Sequence, residues 1–535
     1  MKNHGSVRDL VEARAATDGE ATYLLDVENG KQLDFRGLLR EVRAVADFVA
    51  ARGIAPGESV AYAMQNGRCC VVTLLGLLYG GYRAVAVNLV AGRDIIGYVL
   101  SHSESRLILT QAEHEPLIAD ALQCEAYHEQ CVGQGHDGRP DIVIASDAWL
   151  DECTLVDSAS DDSVASDVAA QAAMASDRKC TETNVGPTSD GILMYTSGTT
   201  GRPKGVVLSH SNLLAGGYNV SLGHQLNAGD RALCVLPLYH INGLCVTLFG
   251  PLVSGGSVVM PQRFSTRGFW EWVDHYQCSW FSVVPTQIAY LLRDAGAPVE
   301  RPFLRFGRSA SAPLSPDVHE SFERHFAVPL IETMGLTETA AQISSNPMPP
   351  GKRKLGSPGI AVGDELRIVN ADLQELTAGE EGELMIRGSN VMQRYFKNEE
   401  ATSEALLPGG WFRSGDLGKL DDEGFLFITG RLKELIIKGG ENIAPREIDD
   451  ALYQHADVVE AAAFARTCRD FGQRVEAAVS LKSSSLVNEE QLLALCCDSV
   501  GKFKCPDRIH FLDELPKGPS GKIQRKKLAE LFDSI

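Results

Sequence analysis

An alternation of two hydrophobic periods constrains this fold more than any other feature of the sequence. From Phe35 to Arg52 the apolar residues Leu38, Leu39, Val42, Val45, Ala46, Val49 and Ala50 recur at helical spacing, and Gly53 closes the pattern. Short apolar runs then trade places with further helical stretches. Strands are expected over Ser59–Met64, Ala84–Val87 and Leu107–Thr110, with helices over Cys69–Tyr79 and Asp94–Ser101. Strands separated by helices in this way imply a parallel α/β sheet. The pattern resumes with strands near Ala232–Leu236, Ser257–Met260, Trp280–Val284 and Leu304–Gly307.

A chain of 535 residues is long for one core. Around Glu365–Val369, Gly382–Arg387 and Gly424–Thr429 the pattern shortens to strands with turn residues between them, as in a small β-rich subdomain. From about Leu432 another unit begins, with helix Pro445–Tyr453, strands Val458–Phe464 and Val475–Ser480, helix Glu489–Cys497 and a basic tail. The fold class expected is α/β. A large N-terminal domain (1–430) would hold two parallel-type α/β subdomains plus the β-rich one, and a small α+β domain (435–535) would follow after residues 431–434. The segment 151–190 is rich in Asp, Ser and Ala without periodicity and reads as a flexible connection, with room for a short helix over Val164–Met174.

A formal net charge of −20 argues against a general nucleic-acid or anionic-membrane binder, so an anionic ligand must meet a local basic patch. The 13 cysteines show no Cys-x-x-Cys spacing, and Cys69-Cys70 and Cys496-Cys497 are adjacent. They read as reduced, mostly buried thiols of a cytoplasmic protein. Met1 to Leu10 has no apolar core of signal-peptide length, and Gly80, Gly81 and Arg83 interrupt the most apolar stretch, Val71–Val87, so no integral membrane segment is expected.

The stretch Tyr195-Thr-Ser-Gly-Thr-Thr-Gly-Arg-Pro-Lys-Gly205 lies between two strand-like runs. Gly198, Gly201 and Gly205 let backbone N–H groups approach an anion, Thr196, Ser197, Thr199 and Thr200 add hydroxyl donors, and Lys204 adds a positive charge. Pro203 before Lys204 and Gly205 after it rule out a Walker A loop. The string resembles the phosphate-binding signature of adenylate-forming enzymes, the superfamily of acyl-CoA synthetases, peptide-synthetase adenylation domains and luciferase.

Other segments, in order, carry the same resemblance, from about Phe35 to Leu528. In Leu236-Pro-Leu-Tyr-His-Ile-Asn-Gly-Leu244, His240 matches the family's gate beside the acyl site. The segment lacks the Asp that pairs with an α-amino group, which disfavours an amino acid substrate. Arg308-Ser-Ala-Ser-Ala-Pro-Leu314 resembles the loop along adenine and the acyl pocket, with Ser309, Ala310 and Ser311 as nucleotide contacts. In Met334-Gly-Leu-Thr-Glu-Thr339, Met334 and Gly335 fall where the family meets adenine, Met334 replacing the common aromatic. Thr337 matches a phosphate-contacting hydroxyl and Glu338 the Mg²⁺ carboxylate. Asp416 in Trp411–Leu417 matches the ribose-binding carboxylate, Arg431 a nucleotide contact and Lys433 the hinge. Gly439 and Gly440 match the loop beside the pantetheine thiol, and Lys522 in Leu515–Arg525 the catalytic lysine.

The resemblance implies activation of a carboxylic acid by ATP and Mg²⁺ to an acyl-adenylate, then transfer to coenzyme A after rotation about Lys433. Lys522, Lys204, Glu338 and His240 would carry the chemistry. Lys502, Lys504, Arg508, Arg525, Lys526 and Lys527 could attract CoA phosphates or form a solvated face. The segments expected around the acyl group, His240–Leu244, Val283–Gln287, Ser309–Ala312 and Met334–Gly335, contain no Arg, which favours an uncharged aliphatic or aromatic acid over a dicarboxylate. A separate acyl carrier protein or an amine is the alternative acceptor, and a catalytically inactive nucleotide binder of the same fold is the contrasting class. No nucleic-acid partner is expected.

Overall fold

The computed structural model describes residues 5–134, 139–158, 184–196, 202–482, 485–518 and 523–533. Two large, mainly parallel sheets dominate the first part of the chain. The 9-stranded sheet runs in the order 360–361, 341–345, 330–336, 306–309, 280–283, 231–234, 257–260, 22–26, 32–34. Its strands are parallel from 330–336 through to 22–26 and antiparallel beyond. The 7-stranded sheet has the order 394–395, 204–209, 190–196, 83–86, 59–63, 107–110, 141–144.

Helices Phe35–Ala51 and Arg68–Gly80 form a shared layer against these sheets. Asp34 caps the first by accepting from Gly37 N–H at 2.6 Å. The second is buried along its whole length, so an all-round apolar sequence is its correct pattern. Gly76 allows the pair to approach, since a Cβ there would lie 2.7 Å from the Cβ of Val45.

A smaller antiparallel sheet of 365–369, 382–387, 411–420 and 406–407, with 426–431 beside 411–420, forms the β-rich part expected from the sequence. After the short 3₁₀ turn Leu432–Glu434 a separate sheet of 441–443, 436–438, 472–481 and 458–468 is joined by 508–511 and by helices Pro445–Leu452, Glu489–Lys504 and Arg525–Asp533. This smaller unit has its own apolar core around Ile448, Ala463, Val479 and Leu492.

Four local readings need correction. Helix Asp147–Ser158 extends into the segment expected to be a flexible connection, because Trp149, Leu150 and Cys153 are buried and Trp149 stacks edge-on against Phe48 at 5.0 Å. Residues 159–183, with the helix considered over Val164–Met174, lie outside the described residues. The N-terminal helix Val7–Thr17, with a Ser6/Asp9 capping box, had no counterpart in the sequence reading. The strand expected at Leu304–Gly307 runs from Phe306 to Ser309, pairing Arg308 with Ser282. Finally, Cys497 and Cys505 are joined as a disulfide rather than both being free thiols. Cys497 lies within Glu489–Lys504 and Cys505 caps its end, with a kink at Gly501 (φ 78°) between them. The free cysteines among the described residues are buried, apart from the half-buried Cys468.

No helix among the described residues is long and apolar enough to cross a membrane.

Candidate active site

Glu338 sits where the 9-stranded sheet reverses direction. Strand Leu330–Leu336 passes through the one-turn helix Thr337–Thr339 into the antiparallel strand Ala341–Ser345. The crossing is so close that a Cβ on Gly335 would lie 1.7 Å from the carbonyl oxygen of Ala341, so only glycine fits. Thr337 and Glu338 are thereby held at a sheet end, and the Glu338 carbonyl accepts from Met392 N–H at 2.7 Å.

Met392 leads into the edge strand Arg394–Tyr395, which pairs with Val206 and Val207 of the other large sheet. The Tyr395 hydroxyl donates to Glu338 Oε1 at 3.0 Å. Burial, reinforced by the Glu338 charge, pushes the Tyr395 hydroxyl well above the usual phenol range, so it stays a donor. Lys204 Nζ lies 4.9 Å from the Tyr395 ring centroid, and Thr196 faces Lys204 across the ladder. Lys204, Tyr395 and Glu338 therefore form one cluster at the junction of the two sheets. Ser197, Gly198, Thr199, Thr200 and Gly201 lie outside the described residues.

Asp416 and Arg431 are cross-strand partners in the small sheet. Arg431 Nε is 2.7 Å from Asp416 Oδ1, whose side chain is 2% exposed. The Asp416 charge raises the Arg431 pKa against the opposing effect of burial, and Glu434 and Glu338 raise it further. Arg431 thus stands in the field of both Asp416 and Glu338, bringing residues from three distant motifs into one electrostatic neighbourhood.

The segment after His240 is wound as a π-helix, Asn242–Phe249, a geometry that recurs at functional sites. His240 is half-buried at its entrance, with its ring 4.9 Å from that of Tyr239. Asn242 Nδ2 donates to Ser311 Oγ at 3.1 Å, and Asn242 Oδ1 accepts from Ser282 Oγ at 3.0 Å and Arg308 Nη1 at 2.9 Å. Ser311 adopts φ 74°, and Ser309 and Ala310 are buried beside it. Met334 is half-buried against the main core.

Arg308 is the member of this group that sequence reasoning missed. It stands one residue before the segment searched for arginines, and the strand placed two residues too early put it at a loop rather than inside the sheet. Its side chain is 1% exposed. The signal available was Arg308 itself, a charged residue in an otherwise apolar parallel strand.

In the smaller unit, Lys433 is exposed in the turn Leu432–Glu434. Gly439 and Gly440, at φ 61° and 90°, close the hairpin between Ile436–Lys438 and Glu441–Ile443. Of the basic residues considered for CoA phosphates, Arg525 is engaged with Asp449 at 2.5 Å and Lys504 with Glu447 at 2.5 Å, whereas Lys502, Arg508, Lys526 and Lys527 are exposed. Lys522 lies outside the described residues. Two surface clefts, one at Asp364 and Arg387 and one at Arg52 and Trp149, lie apart from these groups.

Comparison with known proteins gives a consistent picture. The AMP-binding enzyme family matches residues 11–396, and the AMP-binding enzyme C-terminal domain matches residues 447–522. A sulfoacetate–CoA ligase of Cupriavidus necator is 42% identical over 523 residues, covering 97% of this chain and 96% of that protein. An oxalate–CoA ligase of Arabidopsis thaliana is 35% identical over 496 residues, covering 92% and 91%. The structure of o-succinylbenzoate coenzyme A synthetase from Bacillus subtilis in complex with ATP and magnesium ion superposes with a TM-score of 0.79 at 28% identity, covering 97% of this chain and 98% of that one.

Proposed function

The chain belongs to the AMP-binding enzyme family as an AMP-forming acid–thiol ligase that uses ATP, Mg²⁺ and coenzyme A, and from that premise we propose how its own residues divide the work. The observation that carries the proposal is the joining of Lys204, Tyr395, Glu338, Arg431 and Asp416 through direct contacts and a shared field.

In the first step a carboxylate oxygen forms a bond to the α-phosphorus of ATP while the bond from that phosphorus to the bridging oxygen breaks, and pyrophosphate departs. Two anions approach, so the site must supply positive charge as the transition state forms. Lys204 supplies it at the phosphate loop, and Lys522 supplies it at the reacting carboxylate. Asp416 accepts hydrogen bonds from the ribose diol, and Arg431, paired with it, keeps that carboxylate oriented. Thr196 to Gly201 and Thr337 hold phosphate oxygens, while Ser309 to Ser311, Met334 and Gly335 line the nucleoside.

Glu338 offers a single carboxylate here, a donor that suits a magnesium ion taking its other ligands from phosphate and water. When bound, magnesium neutralises charge on the phosphates. Glu338, with Tyr395 fixing one carboxylate oxygen, is the residue that would hold it.

In the second step the CoA sulfur, having lost its proton, attacks the acyl carbon, the mixed anhydride C–O bond breaks, and AMP leaves. We assign Lys433 as the pivot of the domain 435–535 and the Gly439-Gly440 hairpin as the backbone beside the thiol, with His240 gating the acyl pocket. The acids that name the similar ligases, sulfoacetate and oxalate, are short and carry a second acid group, which favours such an acid here over an uncharged one.

The test separates the two half-reactions. Wild type should release pyrophosphate and AMP and accumulate thioester with ATP, Mg²⁺, CoA and a suitable acid. Lys522→Ala should lose pyrophosphate release by about 100-fold or more, yet still convert synthetic acyl-adenylate and CoA to thioester. Equal loss of both half-reactions would remove Lys522 from its role, and adenylate without thioester would point to a carrier-protein or amine acceptor.

A further inference from the structure

Arg308 is a charge that no acid among the described residues answers. Its hydrogen bonds go to neutral oxygens: Nη1 to Asn242 Oδ1 at 2.9 Å and Ser282 Oγ at 3.0 Å, and Nε to Gln342 Oε1 at 3.3 Å. Nη2 donates to no described residue, and no described carboxylate lies within ion-pair distance. Burial alone pushes the guanidinium down to about 9, still charged at neutral pH. Buried charges are ordinarily paired, because desolvation is expensive. A cation kept 1% exposed without an acid is poised for an anion from outside the chain.

Its surroundings say which anion. Asn242 bridges Arg308 to Ser311, so the guanidinium is two hydrogen bonds from the loop that follows its own strand. Asn242 is also two residues from His240 and opens the π-helix. Arg308 therefore lies beneath the acyl side of the site. It is not tied to the Lys204–Tyr395–Glu338 cluster, where phosphates belong. In a low-dielectric interior its field favours an anion even across one intervening side chain.

We propose that Arg308, with Asn242, Ser282 and Ser311, is the specificity-determining floor of the acyl pocket and selects a short carboxylic acid bearing a second anionic group, carboxylate or sulfonate. This inference rests on the ligase reading above and replaces the expectation of an uncharged acid. The spacer is expected to be a few carbons at most, as in the sulfoacetate and oxalate of the similar ligases.

The experiment compares kcat/KM, by pyrophosphate release and by thioester formation, for malonate, succinate and 3-sulfopropionate against the neutral-ended malonamate, succinamate and propionate. Wild type should favour the best doubly charged acid over its neutral-ended counterpart by about 100-fold or more, and Arg308→Met should bring the ratio to within about threefold. That collapse should come from lost activity on the charged acid, with the KM for ATP unchanged. Arg308→Lys should keep part of the discrimination. Turnover of both carboxylate and sulfonate would mean charge is read, and of carboxylate alone that planar geometry is read too; both support the proposal. Equal use of neutral and charged acids by wild type, or an equal loss on every acid in Arg308→Met, would overturn it while leaving the ligase intact. Absence of both pyrophosphate and thioester with every acid would overturn the ligase reading and this inference together.

Discussion

Arg68 and Arg308 are both buried in the large N-terminal part of this protein, and the chain treats them oppositely. Arg68, at the start of helix Arg68–Gly80, donates to Glu41 through Nε at 3.1 Å and Nη2 at 2.8 Å, and to Asp151 at 2.9 Å, with Asp147 at 3.5 Å. Burial works against its charge, but Glu41, Asp151 and Asp147 outweigh it and raise its pKa. Arg308 is buried more deeply, has no acid among the described residues within ion-pair distance, and has a lowered pKa. One charge is settled within the fold, tying helices Phe35–Ala51, Arg68–Gly80 and Asp147–Ser158 together. The other is held in reserve at the site. Burial alone therefore does not mark a functional charge, whereas burial without a partner does.

The comparison breaks most visibly if Arg68 proves dispensable. Arg68→Met leaves Glu41 buried without its hydrogen-bonded cation, and stability should fall by about 3–5 kcal/mol, read as a lower urea midpoint or melting temperature. Acid selectivity at the remaining folded fraction should be unchanged. A loss below about 1 kcal/mol would show that the Arg68 network is not the structural tie described here.

Glu332 sharpens the comparison with a buried charge of the opposite sign. It is 4% exposed on strand Leu330–Leu336, with Leu314 N–H 3.4 Å from Oε1 and no hydrogen bond to Oε2 among the described residues. Burial pushes its carboxyl up to about 7, opposed by the Leu314 bond, His319 and Arg446 and helped by Asp450. Because the folded pKa lies above the unfolded value, the native state binds more protons between about pH 4.5 and 7, so stability falls as pH rises through that window. Glu332→Gln should be more stable than wild type at pH 8, by up to about 3 kcal/mol at 1.36 kcal/mol per pKa unit, and indistinguishable from it near pH 4. An equal offset at both pH values would exclude the carboxylate as its source.

What the sequence revealed followed from periodicity, and what it hid followed from space. The helix at Phe35–Ala51 and strands at Ser59–Ala63, Ser257–Met260 and Trp280–Val283 were legible because each buries a simple repeating face. Helix Asp147–Ser158 was not, since its few apolar residues dock on Phe48 and its acids answer Arg68, partners some 80 positions or more away in the chain. The motif strings for Lys204, Glu338, Asp416 and Arg431 named residues without showing that they meet. Tyr395, which joins Lys204 to Glu338 from a two-residue edge strand, carries no local signal at all. Arg308 was hidden by a strand boundary two residues out.

Tyr395 offers a smaller perturbation of the charged side of the site. Tyr395→Phe keeps the ring beside Lys204 and removes only the hydrogen bond to Glu338 Oε1, worth about 1.5–3 kcal/mol for a bond to a charged acceptor when made and less where water replaces it. The expected result is a weaker response to Mg²⁺, with the magnesium concentration for half-maximal pyrophosphate release raised by about 3- to 10-fold, while the ratio of charged to neutral acids stays put. A change in that ratio would mean the two clusters are coupled, against the separation of roles drawn between Tyr395 and Arg308.

The smallest expected effect is the most discriminating. Removing Arg308 should scarcely alter stability, because every acceptor it leaves has a second partner. Asn242 Oδ1 keeps Ser282 Oγ at 3.0 Å, Ser282 keeps Asn242, and Gln342 Oε1 keeps His224 Nε2 at 3.0 Å, with the imidazole in the tautomer that donates there. Methionine fills much of the same volume with a flexible apolar chain, and the cost of keeping a desolvated cation disappears. Arg308→Met should therefore unfold within about 1 kcal/mol of wild type in urea at pH 7.5, and saturating amounts of a doubly charged acid, which stabilise the wild type by mass action, should stabilise the variant much less. A loss comparable to that of Arg68→Met would place Arg308 in the same structural class as Arg68, and the distinction between a paired and a reserved charge would fail at the point where it makes its strongest claim.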